Sequence, residues 1–294
     1  MSEMKRILGA ILIWTRRTFF PKHHWRLYIQ ETAKSADERE LALLPALVPP
    51  GGVGIDVGAE GGAYSIRLVQ QGASVIAFEP RPLPAKHLSE MATVLGLPIK
   101  VEPVALSNHS GAATLRLLTK DPGRSTIEER NELSDPDHSP KSQLQVEIRR
   151  LDDYGFPRID LIKIDAEGHE IAVLEGANDT IARSRCSLLV EAEDRHAKGA
   201  TGAVFAWMRA RGYAGFFLIE SGLHPVEDFD LLAHQSPESI GGWRSHWVRR
   251  GLYVNNFVFV PMERASSFLD RCHALGFAPP PDIPRDDSMR LAGG

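Results

Sequence analysis

Ile55-Asp56-Val57-Gly58-Ala59-Glu60-Gly61-Gly62 reads as a short apolar strand running into a glycine-rich turn, and Tyr64 to Gln71 after it carry helical spacing. Glycine in such a turn supplies left-handed backbone and lets a ligand approach the main chain closely. A dinucleotide fingerprint would place its first glycine where Asp56 stands, and a carboxylate there would repel a pyrophosphate. Asp56 suits a cationic ligand instead. At the end of the next apolar run, Ser74 to Phe78, comes Phe78-Glu79-Pro80. Glu79 stands about twenty residues after the glycine turn, where an acidic side chain accepts hydrogen bonds from ribose hydroxyls. A ligand with a ribose and a positive charge but no phosphate is S-adenosylmethionine.

Outward from this unit the β-α rhythm continues. A helix is expected over Leu83–Leu95, a strand over Ile99–Leu106, a strand over Ile159–Ile164 and a helix over Glu170–Arg183. There follow a strand at Ser187–Glu191, a helix at Val204–Arg211, strands at Gly215–Ile219 and Tyr253–Val260, and a helix through Phe268–Leu275. Short, continuously apolar runs are what strands buried on both faces require. The fold class is therefore α/β, a Rossmann-like, mainly parallel sheet with its ligand beyond the carboxyl ends of the strands. Ala112–Leu118 and Gln143–Leu151 depart from the rhythm by alternating apolar and polar residues. They read as a β-hairpin insertion around a mobile loop at about 120–141. The expected organisation is an N-terminal helical segment (1–49), a main domain (50–261) and a C-terminal helix and tail (262–294). Ser35 and Glu38 have capping-box spacing ahead of Leu41, Leu44 and Leu47, and Pro49-Pro50-Gly51-Gly52 marks the entrance to the main domain.

Asp160-Leu161-Ile162-Lys163-Ile164-Asp165-Ala166-Glu167-Gly168-His169-Glu170 is a buried strand that delivers Asp165 and Glu167 to its carboxyl end. With this motif the sequence resembles the FkbM family of S-adenosylmethionine-dependent methyltransferases. The family's hallmarks stand in order at Asp56–Gly62, Phe78–Pro80, Ala105–Ser107, Gly123–Thr126, Leu151–Asp153 and Ile162–Glu170, covering about half the chain. The resemblance implies a class I methyltransferase fold, a seven-stranded sheet with a reversed last strand, and methyl transfer to an oxygen. It also implies acceptors that are saccharides, glycans or polyketide-type natural products. Asp56, Gly58, Gly62, Glu79, Ala105 and Ser107 are the expected cofactor-binding residues. Glu60 departs from the family turn, which carries Asn there; its side chain either alters the contact to the methionine end or faces solvent. Asn255 and Asn256, on a family-type closing strand, either pair across the sheet or touch substrate.

A sulfonium methyl is already activated, so the protein has to align the acceptor oxygen and remove its proton. Asp165 is the leading candidate for that proton, with helix N-capping as its structural alternative. His196 and His169 are further candidate bases, because imidazole titrates near neutrality. Asp165, Glu191 and Glu193 at neighbouring strand ends form a candidate Mg²⁺ site that would lower the pKa of a bound hydroxyl. Gly123, Ser125 and Thr126 are expected in a lid, and Trp207, Trp243 and Trp247 either stack on a sugar or pack inside.

Composition narrows the rest. With 43% hydrophobic and 24% charged residues the chain is neither disordered nor a membrane bundle, and a net charge of −4 argues against a broad polyanion-binding surface. No Tyr-x-x-x-Lys pair supports a nicotinamide oxidoreductase, and no Pro-Cys or Pro-Pro-aromatic motif supports a nucleic-acid methyltransferase. A non-catalytic S-adenosylmethionine-binding or scaffold module in a biosynthetic complex remains the alternative reading. Cys186 and Cys272 lack metal-ligand spacing and read as reduced thiols of a cytoplasmic protein. The apolar run Ile7–Trp14 is too short to span a bilayer. At helical spacing Ile7, Ile11, Trp14 and Thr18 share a face away from Lys5, Arg16 and Arg17. Residues 5–20 are thus expected to lie on a membrane surface, or to pack on the domain or a second subunit in a homo-oligomer, with Pro21 ending the segment.

Overall fold

A computed structural model describes residues 12–35, 38–119, 121–133, 140–220, 222–242, 247–249 and 251–278. In chain order the elements are α1 (Pro21–Ser35), β1 (Val53–Val57), α2 (Ala63–Gln70), β2 (Ser74–Phe78), α3 (Pro82–Leu95) and β3 (Ile99–Glu102). The insertion follows as β4 (Ala105–Leu106), β5 (Gly111–Leu118), β6 (Asp121–Thr126) and β7 (Lys141–Arg149). Then come β8 (Leu161–Ile164), α4 (Glu170–Gly176), α5 (Asn178–Ser184), β9 (Ser187–Glu191), α6 (Ala200–Arg209), β10 (Tyr213–Ile219) and β11 (Gly222–Pro225). The chain continues through β12 (Ile240–Gly242), β13 (Trp247–Arg249), β14 (Asn256–Pro261) and α7 (Ala265–Ala274).

The main sheet has eight strands in the order β11-β10-β14-β9-β8-β1-β2-β3. Pairing is parallel from β3 to β9, and β14 runs antiparallel to both β9 and β10. The reversed last strand is therefore present, inserted between β9 and β10. The expected count of seven is corrected to eight, because the chain turns back after β10 into β11, which pairs antiparallel on the outer edge. The strand order reverses between β1 and β8, so the ligand crevice of such a sheet lies there. In register, Asp56 of β1 faces Lys163 of β8. Alternation sends Ile55, Val57, Ile162 and Ile164 into one hydrophobic cluster and Leu161 into the other.

The insertion forms its own four-stranded sheet, β4-β7-β5-β6. The expected loop between the hairpin strands contains β6, which pairs with β5 from Arg116↔Thr126 onward; residue 120 and residues 134–139 lie outside the described set. The helix expected over Glu170–Arg183 is two helices, α4 and α5, meeting at Ala177.

Residues 12–19 are helical and that helix stops at Phe20, as expected from Pro21, which opens the next helix, α1, where its missing N–H costs nothing. Ile7, Ile11 and Lys5 lie outside the described residues. Arg17, expected away from the apolar face, donates to Glu90 and bonds His87 on α3. The N- and C-terminal segments share one core with the sheet: Trp25, Leu43, Leu44, Val75, Phe268 and Cys272 belong to a single buried cluster. Arg271 of α7 also donates to the carbonyl of Ala46. Among the described residues, no helix is long and apolar enough to cross a membrane.

Candidate functional site

A cavity opens beyond the carboxyl ends of β1, β2 and β8. Gly58, Glu60, Glu79, Arg81, Asp165 and His169 line it together with the apolar Phe78, Val104, Leu106, Leu115 and Ile127. Gly58 has φ +74°, and a Cβ there would sit 2.0 Å from the carbonyl oxygen of Asp165, so only glycine allows the β1 and β8 ends to meet. Ala105 also lines the cavity.

The other expected cofactor residues act from behind it. Asp56 does not border the cavity: its buried Oδ2 accepts from the backbone N–H (3.0 Å) and hydroxyl (2.6 Å) of Ser65. Burial pushes the Asp56 pKa up despite those bonds. Asp56 thus ties β1 to α2. Gly62, at φ +82°, starts α2 and leaves room for Leu88 of α3. Ser107 is buried, with its Oγ 2.9 Å from His169 Nε2.

Glu79 is buried and fully engaged. Its Oε1 accepts from the backbone N–H and Nε of Arg81, each at 2.8 Å; its Oε2 accepts from Glu60 N–H and Arg81 Nη2, each at 2.9 Å. A carboxylate offers about four such positions, and all are in use. Glu60 adopts φ +45°, its Oε1 lies 3.8 Å from Arg81 Nη1, and a Cβ on Gly123 of β6 would approach it to 2.7 Å. The side chain that departs from the family pattern thus sits between the glycine turn and the insertion.

Asp165 reaches the cavity from the end of β8, its N–H donating to Val57 O. Burial raises its pKa to about 7, against the pull of Lys163 and with the help of the Glu167 charge. Lys163, buried, stands 3.9 Å from Asp165 Oδ2 and 3.7 Å from Glu191 Oε2. The flanking carboxylates overcome its burial and raise its pKa. Glu191 is raised well above the usual carboxylate range, first by burial and then by Asp165, and hydrogen-bonds Asp165. Asn255 donates to Glu191 Oε1 (2.7 Å) and Asn256 Oδ1 accepts from Lys163 (3.3 Å). The two asparagines pair inside the sheet rather than line the cavity.

The expected Mg²⁺ triad is corrected by these contacts. Lys163 occupies the space between Asp165 and Glu191, while Glu193 is forked by Arg195 and accepts from the Tyr253 hydroxyl. Burial would raise Glu193, yet Arg195 outweighs it and takes the pKa down to about 2. Among the described residues no group of three His, Cys, Asp or Glu side chains is arranged to hold a metal ion. These residues do not fit Mg²⁺.

His196 is placed behind the cavity, its Nε2 2.8 Å from Glu167 Oε2. Burial opposes the imidazolium, but Glu167 prevails and raises the pKa, and the ring is not among the residues that line the cavity. His169 does line the cavity. Its Nδ1 lies 3.3 Å from Glu128 Oε2, and burial nevertheless lowers its pKa. Thr126 Oγ1 and Asn131 Nδ2 both donate to the carbonyl of Glu167, at 2.8 and 2.7 Å. The segment expected as a lid is therefore a paired strand bolted to the β8 end, with Gly123, Ser125 and Thr126 already in the cavity wall. Trp207 packs in the second core cluster under the Arg211 guanidinium, 3.5 Å from its ring centre; Trp243 lies outside the described residues, as does the side chain of Trp247.

Arg81, Lys163 and Glu128 were not legible as site residues. Lys163 had a signal, since a lysine inside an otherwise apolar strand needs buried counter-charges. Arg81 follows directly on the acidic motif, and Glu128 reaches His169 only through the insertion's path.

A family model described as the methyltransferase FkbM domain matches residues 56–214, more than half of the 294 residues. Methyltransferase sdnD of Sordaria araneosa is 29% identical over 157 residues, covering 42% of this chain and 60% of that protein. Methyltransferase 1 of Beauveria bassiana (strain ARSEF 2860) is 24% identical over 146 residues, covering 42% and 58%. The chain thus matches only about 60% of the length of these curated relatives. A crystal structure described as methyltransferase FkbM from Methylobacillus flagellatus KT is 14% identical, with TM-score 0.45, over 79% of this chain and 58% of that one.

Proposed function

Because the chain belongs to the FkbM methyltransferase family, we propose that it transfers the methyl group of S-adenosylmethionine to a hydroxyl oxygen of a saccharide, glycan or polyketide-type natural product. The observation that carries this reading is the juxtaposition in one cavity of the Gly58 turn, Glu79 and Asp165. The donor set fits the cofactor: a carboxylate at the β2 end for ribose hydroxyls, and apolar walls of Phe78, Val104 and Leu106 for a flat base. When bound, the sulfonium supplies a methyl group already activated for transfer.

The chain's own residues supply the rest. Gly58 holds the β1 and β8 ends together, so that Asp165 borders the cofactor cradle. Glu79 takes the ribose hydroxyls once the Arg81 fork opens, because its four acceptor positions are otherwise filled within the chain. Asp165, with a pKa of about 7, accepts the acceptor's hydroxyl proton, a role for which a pKa near the working pH is best. Lys163 and Glu191 hold that carboxylate in place. His169, backed by Glu128, is the second proton acceptor in the cavity wall.

The engaged state of Glu79 favours a second reading, a non-catalytic binding or scaffold module whose Arg81 fork stays shut. Incubation of the chain with methyl-labelled S-adenosylmethionine and a panel of hydroxylated acceptors separates the two. Label on an acceptor oxygen is expected; no transfer to any acceptor in the panel supports the second reading.

A further inference from the structure

The helical residues 12–19 and the turn after them carry five large apolar side chains at high exposure: Leu12 56%, Ile13 50%, Trp14 62%, Phe19 64% and Phe20 61%. So many large apolar side chains exposed in one short segment are of a kind that marks a binding face. Trp14 and Phe19 meet edge to face, with ring centres 6.1 Å apart. The helix is fixed to the body, because Arg17 bonds Glu90 and His87 of α3 and lies 5.5 Å over the Trp25 ring. The patch is thus presented by the fold in a set orientation.

The segment itself is basic: residues 12–30 contain Arg16, Arg17, Lys22 and Arg26 and no Asp or Glu, although acidic residues outnumber basic ones in the whole chain, 38 to 34. Nearby, Glu90 of α3 is taken up by Arg17, and Glu31 follows directly after the segment. Lys22 and Arg26 are exposed. A basic rim around exposed Trp and Phe complements an anionic lipid surface, where the rings enter the headgroup boundary and the cations meet phosphates. The chain as a whole is net acidic, so an anionic surface attracts this basic segment rather than the average face of the protein.

We propose that residues 12–26 dock the protein peripherally on an anionic lipid bilayer. The groove lined by Tyr28, Leu83, Pro84 and His87 lies beside that face and reaches Glu60 at the rim of the cofactor cavity. Docking therefore brings the mouth of the site close to the lipid.

The test uses the full chain with vesicles of phosphatidylcholine alone or with one-third phosphatidylglycerol, read by co-sedimentation. Binding to the anionic vesicles at least tenfold tighter than to the neutral ones is expected, weakening as salt is raised. The triple variant Trp14→Ser, Phe19→Ser, Phe20→Ser loses at least tenfold of that binding, and Lys22→Glu with Arg26→Glu does the same. Melting temperature and S-adenosylmethionine titration of both variants stay as in the parent, which separates failure of docking from failure of the enzyme reading. Equal binding to both vesicles, unchanged binding by the triple variant, or a dimer in solution that the triple variant dissociates would each overturn the proposal; the last would assign the patch to a second copy.

Discussion

Asp165 is the residue on which the chemistry turns, and its environment gives it a definite pH behaviour. Burial raises its pKa to about 7, so the carboxylate form needed to accept a proton is lost as the pH falls through that value. Methyl transfer is expected to fall below about pH 7, roughly tenfold per unit, in the limb of the kcat/KM profile that belongs to the base. Asp165→Asn keeps the shape, removes the base, and is expected to reduce kcat by about 10²-fold or more with cofactor affinity changed only a few-fold. A variant as fast as the parent would remove Asp165 from the mechanism. At this scale the sequence exposed Asp165 and Glu79 and hid the cations that pair with them. Asp165 and Glu79 stood out because apolar strands led into them. Arg81 and Lys163 did not, because which carboxylates they neutralise depends on strand order and register, and those are not written in any local stretch.

At the scale of elements, β6 is what differs most between sequence and structure. Asp121-Pro122-Gly123-Arg124-Ser125-Thr126 has the turn-rich composition of a loop. It is nevertheless a strand, because β5 offers it a free edge and the Glu167 carbonyl, on a residue with φ +50°, collects hydrogen bonds from Thr126 and Asn131. Those partners are 36 to 41 residues away in sequence, beyond the reach of local pattern. Asn131 is buried, and its Oδ1 also accepts from the Leu133 N–H. Asn131→Ala removes both links and leaves buried polar groups short of partners. A loss of about 1–3 kcal/mol in urea denaturation is expected, together with weaker ligand binding as the cavity wall loosens. A variant as stable as the parent would mean that β6 holds its place by strand pairing alone.

For the molecule as a whole, the β-α rhythm predicted a doubly wound sheet, and strands such as Ser74–Phe78 and Ser187–Glu191 fall where the apolar runs put them. The edge was less legible: β11 is the polar Gly-Leu-His-Pro, with little strand character of its own, and forms by folding back on β10. The expected division into an N-terminal segment, a main domain and a C-terminal helix meets a core that runs through all three, with Trp25, Leu44 and Phe268 in one cluster. Trp25→Ala is therefore expected to cost the whole fold about 3–5 kcal/mol, the usual range for deleting a buried aromatic side chain, as a single cooperative transition in thermal melts. Separate transitions for the N-terminal helix and the sheet would contradict a shared core. The central claim is that the cavity beyond β1, β2 and β8 holds S-adenosylmethionine through Glu79. Calorimetric titration of the chain and of Glu79→Gln with S-adenosylmethionine, with NADH as the control ligand, tests it most directly. The account predicts saturable binding of S-adenosylmethionine alone, weakened about tenfold or more in Glu79→Gln, the loss expected for a charge-assisted hydrogen bond. No saturable binding, or equal affinity in the two proteins, would contradict it.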